Sequence, residues 1–477
     1  MVTITGCLFI LPLLAGSSLA ADLTLEDLTR SAFKSESYQG VAARRELESV
    51  PLLQARAPLT TSFTLGGSHI EDLRTPSLDS LPSRALSTQF SLGVNTNFAT
   101  GTSLAADVTH GKSHIDFLRD PSASFYETKG TLSLTQSLWR NAFGSATRLG
   151  VKAGEVFAEA NQQATLETEE NWFFTLLELY YRAWLAQMQE HTADDNLARR
   201  ERIFEITKKK VARGLSEEPD RLQVESTLLK TRAQKARTTQ SLEERWQELS
   251  NFAKSESSAL STLVLDSPMI RALELCDSKG PESTVSIRRL EKQSEGAGLK
   301  AEQTQNVLRP MLDLKGALLA NGVGDSRGPT FDQTWRASHP GWSLGFQLTV
   351  PLFDYEKKAE AQTARAEAIH TEAQVLLAKQ GLESRWKNAC SDLKRWQSAN
   401  AQFAEAFNGQ RRRSELEEHR FQLARVGTLN IIQAGDDLIQ AEAELRQSEV
   451  ETRLAAWRVR RLKGDVIPYL RTLGVTR

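Results

Sequence analysis

The chain has 477 residues, with 59 basic and 60 acidic side chains, a net charge of -1 and 40% hydrophobic residues. So even a balance offers no field to a polyanion, which excludes nucleic-acid binding as the main role. An apolar fraction this low at this length fits a thin wall wetted on both sides rather than one thick globular core.

Residues 1–20 hold an apolar run, CLFILPLL, and a small-residue ending at Ala20, which predicts a secretory signal peptide cleaved there. No later stretch supplies the roughly 18 apolar residues of a spanning helix, so any membrane crossing falls to strands of about ten residues closed into a barrel. Leu23 to Val50 reads as one helix, with Thr24 as N-cap, ending before Pro51 and Pro58. A strand from Leu59 to Gly67 follows, then a polar loop to Arg84. Next comes a hairpin-like pair, Gln89 to Phe98 and Ser103 to His110, joined at Thr100-Gly101, and after a second polar loop the strand Thr131 to Leu138. Ser145 to Ala212 contains no proline and predicts a helix roughly 100 Å long. The turn GLSEEPD, with Ser216 as N-cap, leads into a returning helix, Pro219 to Phe252, and an irregular stretch, Ser255 to Pro281.

The pattern then starts again. A helix, Glu282 to Leu308, precedes two strands, Pro310 to Ala320 and Trp342 to Val350. The Gly/Asp/Ser-rich loop between them, with GVGDSRG at Gly322 to Gly328, reads as an extracellular turn. A long helix, Tyr355 to Leu423, a turn at Gly427 and a returning helix, Asn430 to Lys463, complete the chain. LTQSLW (Leu134 to Trp139) aligns with LTVPLF (Leu348 to Phe353) at an offset of 214, and the turn glycines Gly214 and Gly427 follow at similar distances, which predicts an internal duplication. The first repeat is placed at 21–257, with strands about 59–138 and a helical hairpin about 145–252. A connection at 258–281 leads to the second repeat, 282–477, with strands about 310–350 and a hairpin about 355–463. The first half carries an insertion of 38 residues, which leaves its strand count open. The expected fold class is mostly α with a β-barrel portion.

In QSLWRNAFG (Gln136 to Gly144), VPLFD (Val350 to Asp354), FQLARVGTL (Phe421 to Leu429) and Arg309-Pro310, duplicated and in this order, the chain resembles the TolC-like outer membrane factors. The resemblance covers essentially the whole mature chain. It implies a homotrimer forming a twelve-stranded outer-membrane β-barrel above a trimeric α-barrel that crosses the periplasm. The implied function is a passive exit duct of a tripartite efflux or type I secretion system. Its implied partners are a periplasmic membrane-fusion adaptor, an inner-membrane transporter of RND or ABC type, and outer membrane lipid.

The resemblance also points to residues. Acidic positions six and nine past the turn glycine line the family's periplasmic aperture; from Gly427 these are Gln433 and Asp436, from Gly214 Asp220 and Gln223. The same acids equally suit a solvated face or the positive end of a helix dipole. The hairpin tips, at Gly214, Arg425, Gly427 and Thr428, are where the family meets its adaptor, and both glycines are expected at φ > 0. Trp139, Trp335 and Trp342 fit an interfacial aromatic girdle, although Trp139 equally fits a junction core. Cys276 and Cys390 lie far apart on different elements and are expected to be free.

For catalysis the sequence offers little. His110 and His114 of HGKSH fall at a strand end, no HExxH or cysteine cluster occurs, and no phosphate loop is complete, so neither an enzyme nor a cofactor or metal is expected. The competing reading is a soluble periplasmic coiled-coil scaffold or adaptor-like protein whose strands form only a small domain.

Overall fold

The computed structural model describes residues 22–73, 82–117, 121–255 and 262–474, so the leader expected at 1–20 lies outside the described residues. The first half contains β1 (Leu23–Thr24), α1 (Leu25–Ala32), α2 (Glu36–Ala42), α3 (Val50–Arg56), β2 (Ser62–Asp72), β3 (Pro82–Asn97), β4 (Thr102–Phe117) and β5 (Ala123–Ser137). The helices α4 (Ser145–Ala212) and α5 (Glu218–Ala253) follow, then β6 (Leu263–Val264) and α6 (Met269–Asp277). The second half runs through α7 (Val285–Val307), β7 (Met311–Gly324), α8 (Arg327–Trp335), β8 (Pro340–Thr349), α9 (Tyr355–Gln422), α10 (Thr428–Lys463) and α11 (Val466–Thr472). Two compact units cut across these halves: residues to Arg44, 166–284 and from Gly381 form one, and 45–165 with 285–380 form the other.

In the second unit all long strands join one antiparallel sheet, ordered β2-β3-β4-β5-β7-β8. The insertion in the first half thus adds two strands to the sheet, within which β3 and β4 pair as a hairpin from Asn97↔Ser103 outward. The six strands of this sheet among the described residues correct the four per chain on which a twelve-stranded barrel was expected. The loop between β7 and β8 also differs from expectation. Gly322 and Gly324 belong to β7, paired with Thr128 and Tyr126, and the residues beyond Ser326 wind into α8 instead of remaining a turn. Pro329 sits near its start, where a missing N–H costs nothing.

In the first unit a core forms where the middle of α4 is most apolar. Trp172, Phe173, Leu176, Leu177, Tyr180 and Tyr181 pack with Leu25 and Leu28 of α1, Trp457 of α10 and Leu470 of α11. Each such buried side chain contributes on the order of 2 kcal/mol. Polar tips inside this core are satisfied by the chain that crosses it. The Tyr180 hydroxyl donates to the Val264 carbonyl (2.5 Å), while the Tyr181 hydroxyl (2.6 Å) and Trp457 Nε1 (3.0 Å) donate to the Asp266 carboxylate. Burial nevertheless holds the Asp266 carboxyl above the ordinary carboxylate range. β1 and β6 pair in parallel beside it, Leu23 with Leu263.

The single helix expected from Leu23 to Val50 is instead broken. Its first piece ends at Ala32, Ser35 accepts the Tyr38 N–H and starts a second piece, and Pro51 opens α3 rather than ending a helix. The stretch expected to be irregular contains α6, and here Cys276 and Cys390 form a disulfide, with Cα atoms 5.7 Å apart, instead of two free thiols. The physical reason is packing: Ala272 and Leu275 of α6 bury against Leu393 of α9 and Ala455, Ala456 and Val459 of α10, which brings the two sulfurs together. An exported chain left with two cysteines carried that hint.

Candidate functional site

The sheet has two chemically opposite faces. Cross-strand pairing places Phe63, Val94, Ala106, Leu132, Leu318 and Trp342 in one row across all six strands. The adjacent row, on the other face, is Ser62, Asn95, Ala105, Ser133, Ala317 and Ser343. Because side chains alternate along a strand, the first face collects apolar residues and the second polar ones. The apolar face is largely uncovered: Phe346 is 80% exposed, Trp342 77% and Leu344 67%. Five successive antiparallel pairings make β2 and β8, the two edges, run in opposite directions. Among the described residues no helix is long and apolar enough to cross a membrane.

The two helical hairpins, which start in the second unit and reach their tips in the first, are built to one measure. α4 and α9 each have 68 residues, α5 and α10 each have 36, and all four boundaries are offset by 210 positions. This replaces the offset of 214 expected from the strand motifs. It also re-pairs the tip residues. Gly214 (φ 72°) corresponds to Ala424 (φ 56°), and each sits in the same helix-ending motif, with Leu215 N–H donating to the Lys210 carbonyl and Arg425 N–H to the Arg420 carbonyl, both at 2.9 Å. Gly427 is not left-handed as expected: at φ -80° and ψ 165° it is the extended N-cap of α10, matching Glu217 before α5. The N-cap is therefore Glu217 rather than Ser216. Arg425 is exposed at the tip, whereas Thr428 is buried at 4%. Leu215 and Leu429, overlooked in the sequence, stand exposed beside the tips, and the motifs GLS and GTL were the available sign.

The aperture candidates separate. Gln433 is exposed, and in the helix register its counterpart is Gln223, also exposed. Asp220 faces the tip instead, accepting from the Ser216 hydroxyl (2.6 Å) and the Glu217 N–H (3.5 Å), a cap for α5. Asp436 accepts from Arg200 Nη2 of α4 at 2.5 Å, and the same nitrogen donates to the Ile432 carbonyl at 3.3 Å. The Arg200 side chain is 2% exposed and that of Asp436 61%, so the pair joins the interior to water. Burial lowers the Arg200 pKa from its ordinary value, and Asp436 opposes that shift. Gly435 makes room: the Arg200 guanidinium lies 3.4 Å from where a Cβ at 435 would stand. Sequence reading missed Arg200 because its partner is 236 positions away. Asp437 pairs with Arg413 of α9 at 2.7 Å. Beneath the tips, Ile203, Val224, Phe421, Ile431 and Ile432 form a small core, with Lys210 Nζ 3.6 Å above the Phe421 ring.

Residues 81–253 match the model of a family described as outer membrane efflux protein. Among solved structures, the chain is similar to the outer membrane protein VceC of Vibrio cholerae, at 14% identity over 92% of this chain and 95% of that one, with a TM-score of 0.67. It is also similar to the CmeC outer membrane channel of Campylobacter jejuni (11% identity, 94% and 88% covered, TM-score 0.67). The open state of the MtrE outer membrane channel of Neisseria gonorrhoeae matches as well (14% identity, 92% and 88% covered, TM-score 0.64). No curated protein matches the chain by sequence. The chain thus has the fold of the TolC-like outer membrane factors, with the outer membrane efflux protein pattern in its sequence over residues 81–253.

Proposed function

We propose that this protein is the outer membrane channel of a tripartite efflux or type I secretion system, a passive duct with its helical part in the periplasm. One observation carries the reading: a six-stranded sheet, apolar and uncovered on one face, polar on the other, and open at both edges. An isolated sheet of this kind cannot stay in water or in lipid, because its edge N–H and C=O groups are unpaired. Closure by identical copies removes both edges, since β8 of one copy runs antiparallel to β2 of the next. With the trimer that the resemblance implies, six strands per copy give an eighteen-stranded barrel, in the size range that leaves an aqueous channel. The polar row then lines the lumen and the apolar row meets lipid. A soluble scaffold has no use for that uncovered face.

The exposed tips, with Gly214, Arg425 and Gly427 and flanked by Leu215 and Leu429, are the surface offered to the adaptor, and buried Thr428 supports them from beneath. Gln223 and Gln433, related by the helix register and repeated threefold, would line the periplasmic aperture, with Asp436 adding negative charge just behind. Its pairing to Arg200 tempers that charge. Asp220, turned to its cap, contributes to the tip rather than the opening. No step of bond chemistry is assigned to any residue.

Membrane fractionation followed by electron cryomicroscopy of the detergent-extracted protein tests this. The expected result is an outer-membrane trimer with eighteen strands. A soluble monomer after export would overturn the reading, and a trimer of twelve strands with β3 and β4 folded away would overturn the closure.

A further inference from the structure

We propose that α8 is a lipid-binding anchor, held on the outside of the barrel at its outer rim, where it engages the headgroup and upper acyl region of the surrounding outer leaflet. The inference rests on the reading of the sheet as a membrane wall.

The chain passes from α8 through β8 into α9, so α8 lies at the end of the sheet remote from the long helices. It rests on β5 and β7. The residues beneath it identify the face. Thr128 and Gly130 of β5 alternate in step with Leu132 and Leu134, so α8 sits on the apolar side, just beyond the apolar rows.

The seat is shaped for it. A Cβ at Gly322 would stand 2.3 Å from the Thr330 carbonyl oxygen, and those at Gly130 and Gly324 would touch the methyl groups of Thr334 and Thr330. Only glycine lets the helix backbone approach so closely. Hydroxyls complete the attachment: Thr128 Oγ1 donates to Thr330 Oγ1 (3.1 Å), and Thr334 Oγ1 donates to the Thr128 carbonyl (3.0 Å). Thr128 and Thr330 are fully buried there.

What α8 turns outward is aromatic. Trp335 is 92% exposed, and Phe331, its ring stacked 4.6 Å from His110, is 48% exposed. Two cations, Lys112 and Arg327, stand over the ring of Tyr126 at 5.8 and 5.5 Å, on the same face and just outside the apolar rows. An aromatic edge with flanking cations suits the boundary where acyl chains give way to phosphate. A neighbouring copy is the weaker occupant, because the sheet continues through the β8 edge and α8 rides on β5 and β7.

Spin labels placed by Trp335→Cys, Leu344→Cys and Asp325→Cys in trimers reconstituted into phosphatidylglycerol-containing vesicles test this through accessibility to oxygen and to a nickel chelate. The label at 335 is expected to favour oxygen over nickel, at a depth shallower than that at 344. Nickel accessibility at 335 equal to that at 325 would place α8 in water, and exclusion of both quenchers would place it against protein; either overturns the proposal. A water-exposed label at 344 would instead sink the membrane-wall reading itself. Adding Gly322→Val, which drives a branched side chain into the Thr330 carbonyl, should shift the 335 label toward nickel while leaving 344 unchanged. An unshifted 335 label in that variant refutes the seat.

Discussion

The two halves of this duplicated chain agree in their helices and disagree in almost everything attached to them. The hairpins match residue for residue in length, yet among the described residues the first half brings four strands to the sheet and the second brings two and a helix laid across β5 and β7. One cysteine of the disulfide, Cys390 of α9, and the Arg200 partner Asp436 lie on second-half helices, and the matching first-half positions hold Tyr180 and Ser226 instead. Paired helices of fixed length must stay in step along their whole seam, whereas a hairpin can be added to a sheet two strands at a time without altering any other pairing. Duplication is therefore kept where packing is continuous and lost where it is modular.

The disulfide offers the largest test of this asymmetry. It closes a loop of 114 residues. Cys276→Ser with Cys390→Ser is expected to cost about 3–5 kcal/mol, read by denaturation of the first unit's core fluorescence, and an unchanged midpoint would mean that α6 needs no staple.

Next in size is a test of whether both halves share one lipid face. Leu134 and Leu344 flank Gly316 in one cross-strand row and are themselves 210 apart. Arginine at either is expected to cost about 2–4 kcal/mol in membrane folding, while Ser133→Arg and Ser343→Arg, on the lumen face, should cost little. Unequal costs at 134 and 344 would break the equivalence.

At Asp436, replacement by alanine removes the charged partner of a buried guanidinium and is expected to cost about 1.5–3 kcal/mol, measured by thermal unfolding. Ser226→Ala, at the matching position of the first hairpin, should be near neutral. Single-channel conductance of the same variants reports on the aperture, and a rise in Asp436→Ala is expected.

The smallest effects belong to the tips. Gly214→Val forces a branched residue into a left-handed position and is expected to cost about 1–2 kcal/mol, whereas Ala424→Gly should stabilise by about 1 kcal/mol. Gly427→Val, in an extended and open site, should change stability little, which a melting curve can check.

The contrast also explains what could be read in advance. The ends of the four hairpin helices were legible to within two residues because proline-free periodicity runs through them, whereas the Leu23 to Val50 stretch, with Gly40 and short caps inside it, broke into pieces. The five-residue tips were not, because Gly427 resembles Gly214 in sequence while Ala424 replaces it in backbone angle. The strand motifs matched at 214 because a slip of four is two full pleats and keeps every side chain on its face. Arg200, Gly435 and α8 were silent for another reason: each takes its meaning from a neighbour distant in the chain.

The bond between Cys276 and Cys390 also decides how the protein answers to cutting. α7, both second-half strands, α8 and the start of α9 all lie inside its covalent ring. A protease that nicks the segment around α8 therefore produces two pieces that migrate as one chain until a reductant is added. A nick in the Phe98–Thr102 turn lies outside the ring, so denaturation alone parts the fragments. The segment carrying the proposed lipid anchor is the one that can be severed without being lost.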